Sequence, residues 1–201
     1  MARDGESTKR RIYEAAVREF AHHGLHGTTI DRIARLAEVN RERVYGHFGD
    51  KAALFAAVVR TETEKVANAV PLHVVSAVDV GDFAGRTFDY QQRNPDLARL
   101  LLWEGLAGTA AAPVEPARSR LYAGKVAEVT AAQQAGRVSD FVTADHLIFL
   151  VISMASHWAA TPLVARMLSG ASQDDTGERD RRRAAVVHAA RRLAEPAPPT
   201  S

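Results

Sequence analysis

Residues 28–51 read TTIDRIARLAEVNRERVYGHFGDK. Thr28 or Thr29 is placed to cap a helix, because a hydroxyl oxygen accepts a bond from an otherwise unpaired first-turn N–H. Asp31 puts negative charge at the positive end of that helix. Ile30, Ile33, Ala34 and Ala37 fall at i, i+3, i+4 and i+7, which makes one apolar stripe on a short helix. Ala34 is small enough for a second helix to cross close above it. Asn40 is a good N-cap for that second helix, and Val39 and Val44 can pack across the cap as a hydrophobic staple. The second helix then presents Arg41, Glu42 and Arg43 at its N-terminal end and turns Val44 and Phe48 inward. Gly49-Asp50 ends it and caps a further helix, with Lys51 in the first turn. Helix, tight turn and second helix in this arrangement suit a unit that lays its second helix in the DNA major groove.

Working outward, Thr8–His23 is predicted as an amphipathic helix with Gly24 as its C-cap, preceded by a disordered polar arm over residues 1–7. A long helix runs from Asp50 to about Val70, where Pro71 stops it. Helices are expected over Asp79–Arg93, Pro95–Gly108, Ala117–Gln134, a Thr143-capped stretch to Ala160, Pro162–Gly170 and Glu178–Ala194. A loop over residues 109–116, a polar loop over 171–178 and a tail over 196–201 separate or follow them. No segment has strand periodicity and there is no internal repeat. The fold class read from this pattern is all-α.

The chain has 201 residues, a net charge of +2, 46% hydrophobic residues and no cysteine. The apolar content suffices for a buried core. The lack of cysteine excludes disulfides, thiolate metal sites and cysteine nucleophiles. No apolar run resembles a signal peptide or reaches membrane-spanning length. Residues 142–160 come nearest, but Asp145 and two histidines interrupt them. No membrane partner is therefore expected, and a cytoplasmic location is. Residues 1–51 carry ten Arg and Lys against eight Asp and Glu, so any DNA affinity must come from local placement of cations against phosphates.

The lead helix TKRRIYEAAVREFAHHG, the TTI start, the IARLAEV crossing and the VYGHFGDKAALFAAVV exit together resemble the DNA-binding domain of the TetR family of bacterial transcriptional regulators. The likeness is close over residues 8–66, with the helix-turn-helix at about 29–48. It extends to residues 67–195 in architecture only. Two positions depart from the family pattern. Glu38 stands in the turn where Gly is usual, at a cost of roughly 1 kcal/mol if that position needs a positive φ. Asn40 stands where Ser or Thr is common, a nearly neutral exchange at a cap.

The resemblance implies a homodimeric repressor that binds a pseudo-palindromic double-stranded DNA operator and is released by a small-molecule inducer. The DNA-contacting set it implies is Thr28, Thr29, Asn40, Arg41, Glu42, Arg43, Tyr45, His47 and Lys51. Arg41 and Arg43 either read bases, as Arg–guanine pairs do, or hold phosphates. Glu42 either accepts from cytosine or balances its neighbours. Tyr45 and His47 resemble the family's backbone-contacting pair or else pack against the lead helix, and the helix starts at Thr28, Thr29 and Lys51 suit phosphate, with capping alone the alternative for the two threonines. An inducer cavity is implied among the helices between 79 and 170. Its candidate lining is Phe88, Trp103, Glu104, His146, Phe149 and Trp158, and its ligand apolar or aromatic. The helices at 143–160 and 178–194 are the expected dimer-forming pair. Arg181, Arg182, Arg183, Arg191 and Arg192 are expected to form a solvated face.

No cofactor or metal is expected: His22 and His26 have a ligand-like spacing, but Gly24 interrupts the helix between them. An all-α enzyme using His146, His157, Glu104 or Asp145 would need a nucleophile elbow, phosphate loop or metal-ligand run, and the sequence has none. An activator or a ligand-free regulator would share the fold.

Overall fold

A computed structural model describes residues 2–107, 116–172 and 175–197. These form ten helices and no strand: α1 (Ala2–Gly27), α2 (Ile30–Leu36), α3 (Arg41–Phe48), α4 (Lys51–Ala69), α5 (Ala77–Arg93), α6 (Pro95–Ala107), α7 (Pro116–Gln134), α8 (Ala144–Ala160), α9 (Pro162–Ser169) and α10 (Thr176–Ala194). The loop expected at 109–116 lies outside the described residues except for Pro116, as do 198–201 of the expected tail. No single described helix is long and apolar enough to cross a membrane.

The helices pack as two compact units. The first gathers residues 2–65 with 96–107, and the second gathers 66–95 with the described residues from 116 onward. α4 runs continuously from one into the other. The core of the first unit joins Ile12, Ala16 and Phe20 of α1, Ile33 of α2, Val44 of α3, Leu54 and Val58 of α4, and Leu100 of α6. Phe20 meets Phe55 edge to face, with ring centroids 5.1 Å apart, a favoured aromatic geometry.

α1 departs from expectation at both ends. The polar arm expected at 1–7 is helical from Ala2, because nothing before Thr8 breaks the helical run. Gly24 does not end the helix outright. It takes φ 65° and ψ −178°, and helical structure resumes to Gly27. The Trp103 ring explains the kink, since a Cβ on Gly24 would lie 2.6 Å from two of its carbons. Trp103 Nε1 donates to the Ala21 carbonyl at 3.2 Å, so the indole sits in the notch that the glycine leaves.

In the second unit α5 is the central helix, between α8 and α10. Its inner face carries Val80, Phe83, Ala84 and Phe88, all nearly or fully buried. Gly81 and Gly85 let α10 approach, because a Cβ at Gly85 would stand 2.8 Å from Val187. α5 begins two residues earlier than expected. Ser76 and Asp79 form a capping box, a spacing legible in the sequence as S-x-x-D. α10 likewise begins at Thr176, because Asp175 accepts from the Glu178 N–H. Thr143 makes no side-chain cap bond to α8. Its hydroxyl instead donates to Asp145.

The arginines of α10 do not form one solvated face. Arg182 is buried, donating to Glu178 and to Ser169 Oγ, with its guanidinium 5.4 Å from the Trp158 ring centroid. Arg183 pairs with Asp89 of α5 at 2.9 Å. A stem and planar head that pack and bond at once account for an arginine inside a helix interface. Arg181 and Arg182 also hold the Glu178 carboxyl below its usual range.

Candidate nucleic-acid interface

α2 and α3 are set by their caps and by the turn between them. Thr29 accepts from the Arg32 N–H at 3.3 Å, and Asn40 Oδ1 from the Arg43 N–H at 3.0 Å. The turn closes with the Val39 N–H on the Ala34 carbonyl at 3.0 Å, across the small side chain expected at that crossing. Glu38 takes φ 53°, the left-handed conformation that favours glycine. It stands alone in this respect among the described non-glycine residues. Arg11 reaches its carboxylate at 3.8 Å, but Glu38 is 85% exposed, so this pair offsets little of the strain.

Val44 is fully buried and anchors α3, while Arg41, Glu42, Arg43, Tyr45 and His47 are exposed beside it. The two arginines differ. Arg41 pairs with Asp31 of α2 at 3.0 Å, both ends more than half exposed. Arg43 is exposed and has no ion-pair or hydrogen-bond partner for its side chain among the described residues. Asp31 is a member of this surface that sequence reasoning assigned only to the helix dipole.

The side chain of Thr28 does not share the surface. It is fully buried, and its hydroxyl donates to the Glu19 carbonyl at 3.1 Å. Its own carbonyl accepts from Lys51 Nζ at 2.9 Å. Lys51 thus ties the start of α4 to the segment before α2, and its ammonium keeps two further donors. Thr29 caps α2 and remains exposed. Of the expected set, Thr29, Asn40, Arg41, Glu42, Arg43, Tyr45 and His47 are exposed and Lys51 is half-buried, whereas the Thr28 side chain is turned inward, its hydroxyl bonded to a carbonyl of α1.

Comparison with known proteins bears on what this surface is for. Residues 12–58 match the family model for bacterial regulatory proteins of the tetR family. Residues 79–192 match the tetracyclin repressor-like C-terminal domain. The transcriptional repressor SCO4008 of Streptomyces coelicolor is 41% identical over 195 residues, 96% of this chain and 98% of its own. The chain belongs to the TetR family. Among further relatives, the HTH-type transcriptional repressor Rv1474c of Mycobacterium tuberculosis is 29% identical over 171 residues, 81% of this chain and 83% of its own. The solved structure of SCO4942 of Streptomyces coelicolor superposes with a TM-score of 0.78 at 31% identity, covering 94% of this chain and 99% of that one. As a TetR-family protein the chain is a helix-turn-helix DNA-binding transcriptional regulator, and the relatives are named as regulators, not as enzymes.

The six residues expected to line a ligand site are spread over α5, α6 and α8. Phe88 is fully buried in the core of α5. Trp158 is half-buried beneath Arg182. His146 and Phe149 lie on the outer side of α8, Phe149 70% exposed, since α8 turns Leu147, Ile148 and Val151 to the core instead. Trp103 and Glu104 lie on α6, where the apolar side packs with the first unit. Sequence reasoning missed Thr87 and Gln91. Both are buried on α5, and neither Thr87 Oγ1 nor Gln91 Oε1 has a hydrogen-bond partner among the described residues. The Gln91 amide donates to Ser156 Oγ of α8 at 3.2 Å. The i, i+4 spacing of two polar residues flanking Phe88 was the available signal.

Proposed function

We infer that the protein is a homodimeric repressor that reads a pseudo-palindromic operator with two copies of α3 and is released by a small molecule bound in the second unit. The observation that carries the reading is the exposed face of α3, with Arg43 unpaired beside the fully anchored Val44. A rigid helix that offers a free guanidinium is suited to bidentate contact with guanine O6 and N7. Arg41, already paired to Asp31, is better placed to exchange that carboxylate for a phosphate, an exchange that costs little for an exposed pair. Tyr45, His47, Thr29 and Lys51 would hold the backbone and fix register, while Glu42 borders the same groove.

The homodimer is supported by α8. Phe149 and Leu150 stand exposed on a helix whose other side is core, and exposed large apolar side chains in one patch mark an interface. A two-fold pair of α8 and α10 helices would cover them. The small-molecule reading is supported by Thr87 and Gln91, whose orphaned oxygens need a partner, next to the apolar bulk of Phe88. The occupant would be largely apolar or aromatic with at least one hydrogen-bonding group. It would have to bind the non-DNA conformation more tightly to cause release, with α4 carrying the movement.

The test is fluorescence anisotropy on the genomic fragment most enriched by the purified protein, titrated with salt. Tight binding to a short inverted repeat, with affinity falling steeply as salt rises, is the expected result. Weak binding that does not distinguish the fragment from random DNA would overturn the reading.

A further inference from the structure

The first unit contains a cleft of about 700 Å³, within the range of small-molecule sites. One wall is α1, the other α4, and Phe48 at the end of α3 lines it as well. Three cations line it, Lys9 and Arg10 from α1 and Arg60 from α4, against one acid, Glu6. Two aromatic residues, Tyr13 and the half-buried Phe48, supply apolar surface.

The charges on the α1 side are available to a ligand. Lys9 is exposed and has no side-chain partner among the described residues. Arg10 meets Glu14 only at 3.9 Å, with the two side chains 74% and 55% exposed, a pair that a better acceptor displaces. Tyr13 is held in place, its hydroxyl donating to Glu62 and one ring face covered by Lys65 Nζ at 4.9 Å. Glu62 is answered by that hydroxyl and by Lys65 at 2.7 Å, so it is balanced locally.

We propose that this cleft is a second effector site, which binds a small aromatic carboxylate through Lys9 and Arg10 with its ring against Tyr13 and Phe48. A guanidinium matches a carboxylate in two parallel hydrogen bonds, and the rings accept a flat apolar body. Duplex phosphates would reach the rim cations but leave the aromatic lining unused, so a small ligand accounts for more of the cleft. Because α1, α3 and α4 all border it, an occupant acts on the DNA-reading unit itself. The site does not depend on a ligand in the second unit.

The experiment is amide NMR of the isotope-labelled full-length protein with 2-naphthoate, its neutral isostere 2-naphthamide, and inorganic phosphate. 2-Naphthoate is expected to give saturable shifts at Lys9, Arg10, Tyr13 and Phe48, and the other two probes not to. The double exchange of Lys9→Gln with Arg10→Gln lies on the surface and is expected to weaken 2-naphthoate about five- to tenfold, as loss of two partly exposed ion pairs implies. Unchanged shifts at these residues, or equal shifts with the amide, would show that no anion site exists. Equal shifts with phosphate would show a plain cationic rim of the kind DNA backbones use. Undiminished binding by the double variant would likewise overturn the proposal.

Discussion

At Glu38 the backbone is left-handed, with φ 53°, and the side chain brings only a long, exposed ion pair with Arg11. A Cβ in that conformation costs about 1–2 kcal/mol, part of which glycine returns as unfolded-state entropy. Glu38→Gly is therefore expected to stabilise the protein by about 0.5–1 kcal/mol in urea unfolding. A loss of stability would show that the carboxylate matters more than the strain. Gly24 is the opposite case. Its φ of 65° and the Trp103 ring, 2.6 Å from where a Cβ would be, act together. Gly24→Ala is expected to destabilise by about 2–3 kcal/mol, combining the conformational penalty with overpacking. Thermal unfolding within a degree of the parent would contradict that packing. The two residues differ in how far sequence could see them. The left-handed position at Glu38 follows from the usual glycine at that turn. The notch at Gly24 depends on a tryptophan 79 positions away, and no local pattern reveals it.

The helices show where local chemistry is sufficient. Asn40, Asn94-Pro95, Gly136 and Gly170 mark boundaries that the structure keeps, because caps and stops act through bonds within a few residues. The Ser76–Asp79 box is equally local. Burial works to raise the Asp79 carboxyl. Bonds from the Ser76 and Val75 N–H groups and the Ser76 hydroxyl, with the His73 charge, hold it below its ordinary 3.8. A carboxyl whose pKa is lower folded than unfolded adds stability above its unfolded pKa and loses it as pH falls through the folded one. Asp79→Asn is thus expected to be destabilising near neutral pH by about 1 kcal/mol, with the gap closing as pH falls below about 4. Urea unfolding at several pH values checks this, and a gap that persists in acid would assign the effect to shape instead of charge. α6 shows what local signals do not hold. Its start at Pro95 is legible, but its partner is not, since an apolar helix fits any apolar surface.

At the scale of the whole molecule, α8 exposes Phe149 and Leu150 while burying Leu147, Ile148 and Val151. Phe149→Glu is expected to leave the helical content unchanged, to shift the protein to monomer in sedimentation, and to weaken operator binding at least tenfold, because a buried unpaired charge opposes association. An unaltered dimer would place the interface elsewhere. The exposure of the α3 side chains was legible because they form one contiguous segment at fixed helical spacing, whereas the inward turn of Thr28 needed the third dimension. The placement of the candidate ligand residues was not legible, because it depends on which helix face packs, and α8 carries large apolar residues on both sides. On the proposed reading, α3 recognises base sequence through Arg43. Selection from a random pool of double-stranded DNA, run in parallel for the parent and Arg43→Ala, tests it most directly. The parent is expected to yield an inverted repeat, and Arg43→Ala the same repeat with one symmetric base position relaxed and affinity lower by about 1–3 kcal/mol. An identical repeat bound equally well by Arg43→Ala would contradict it.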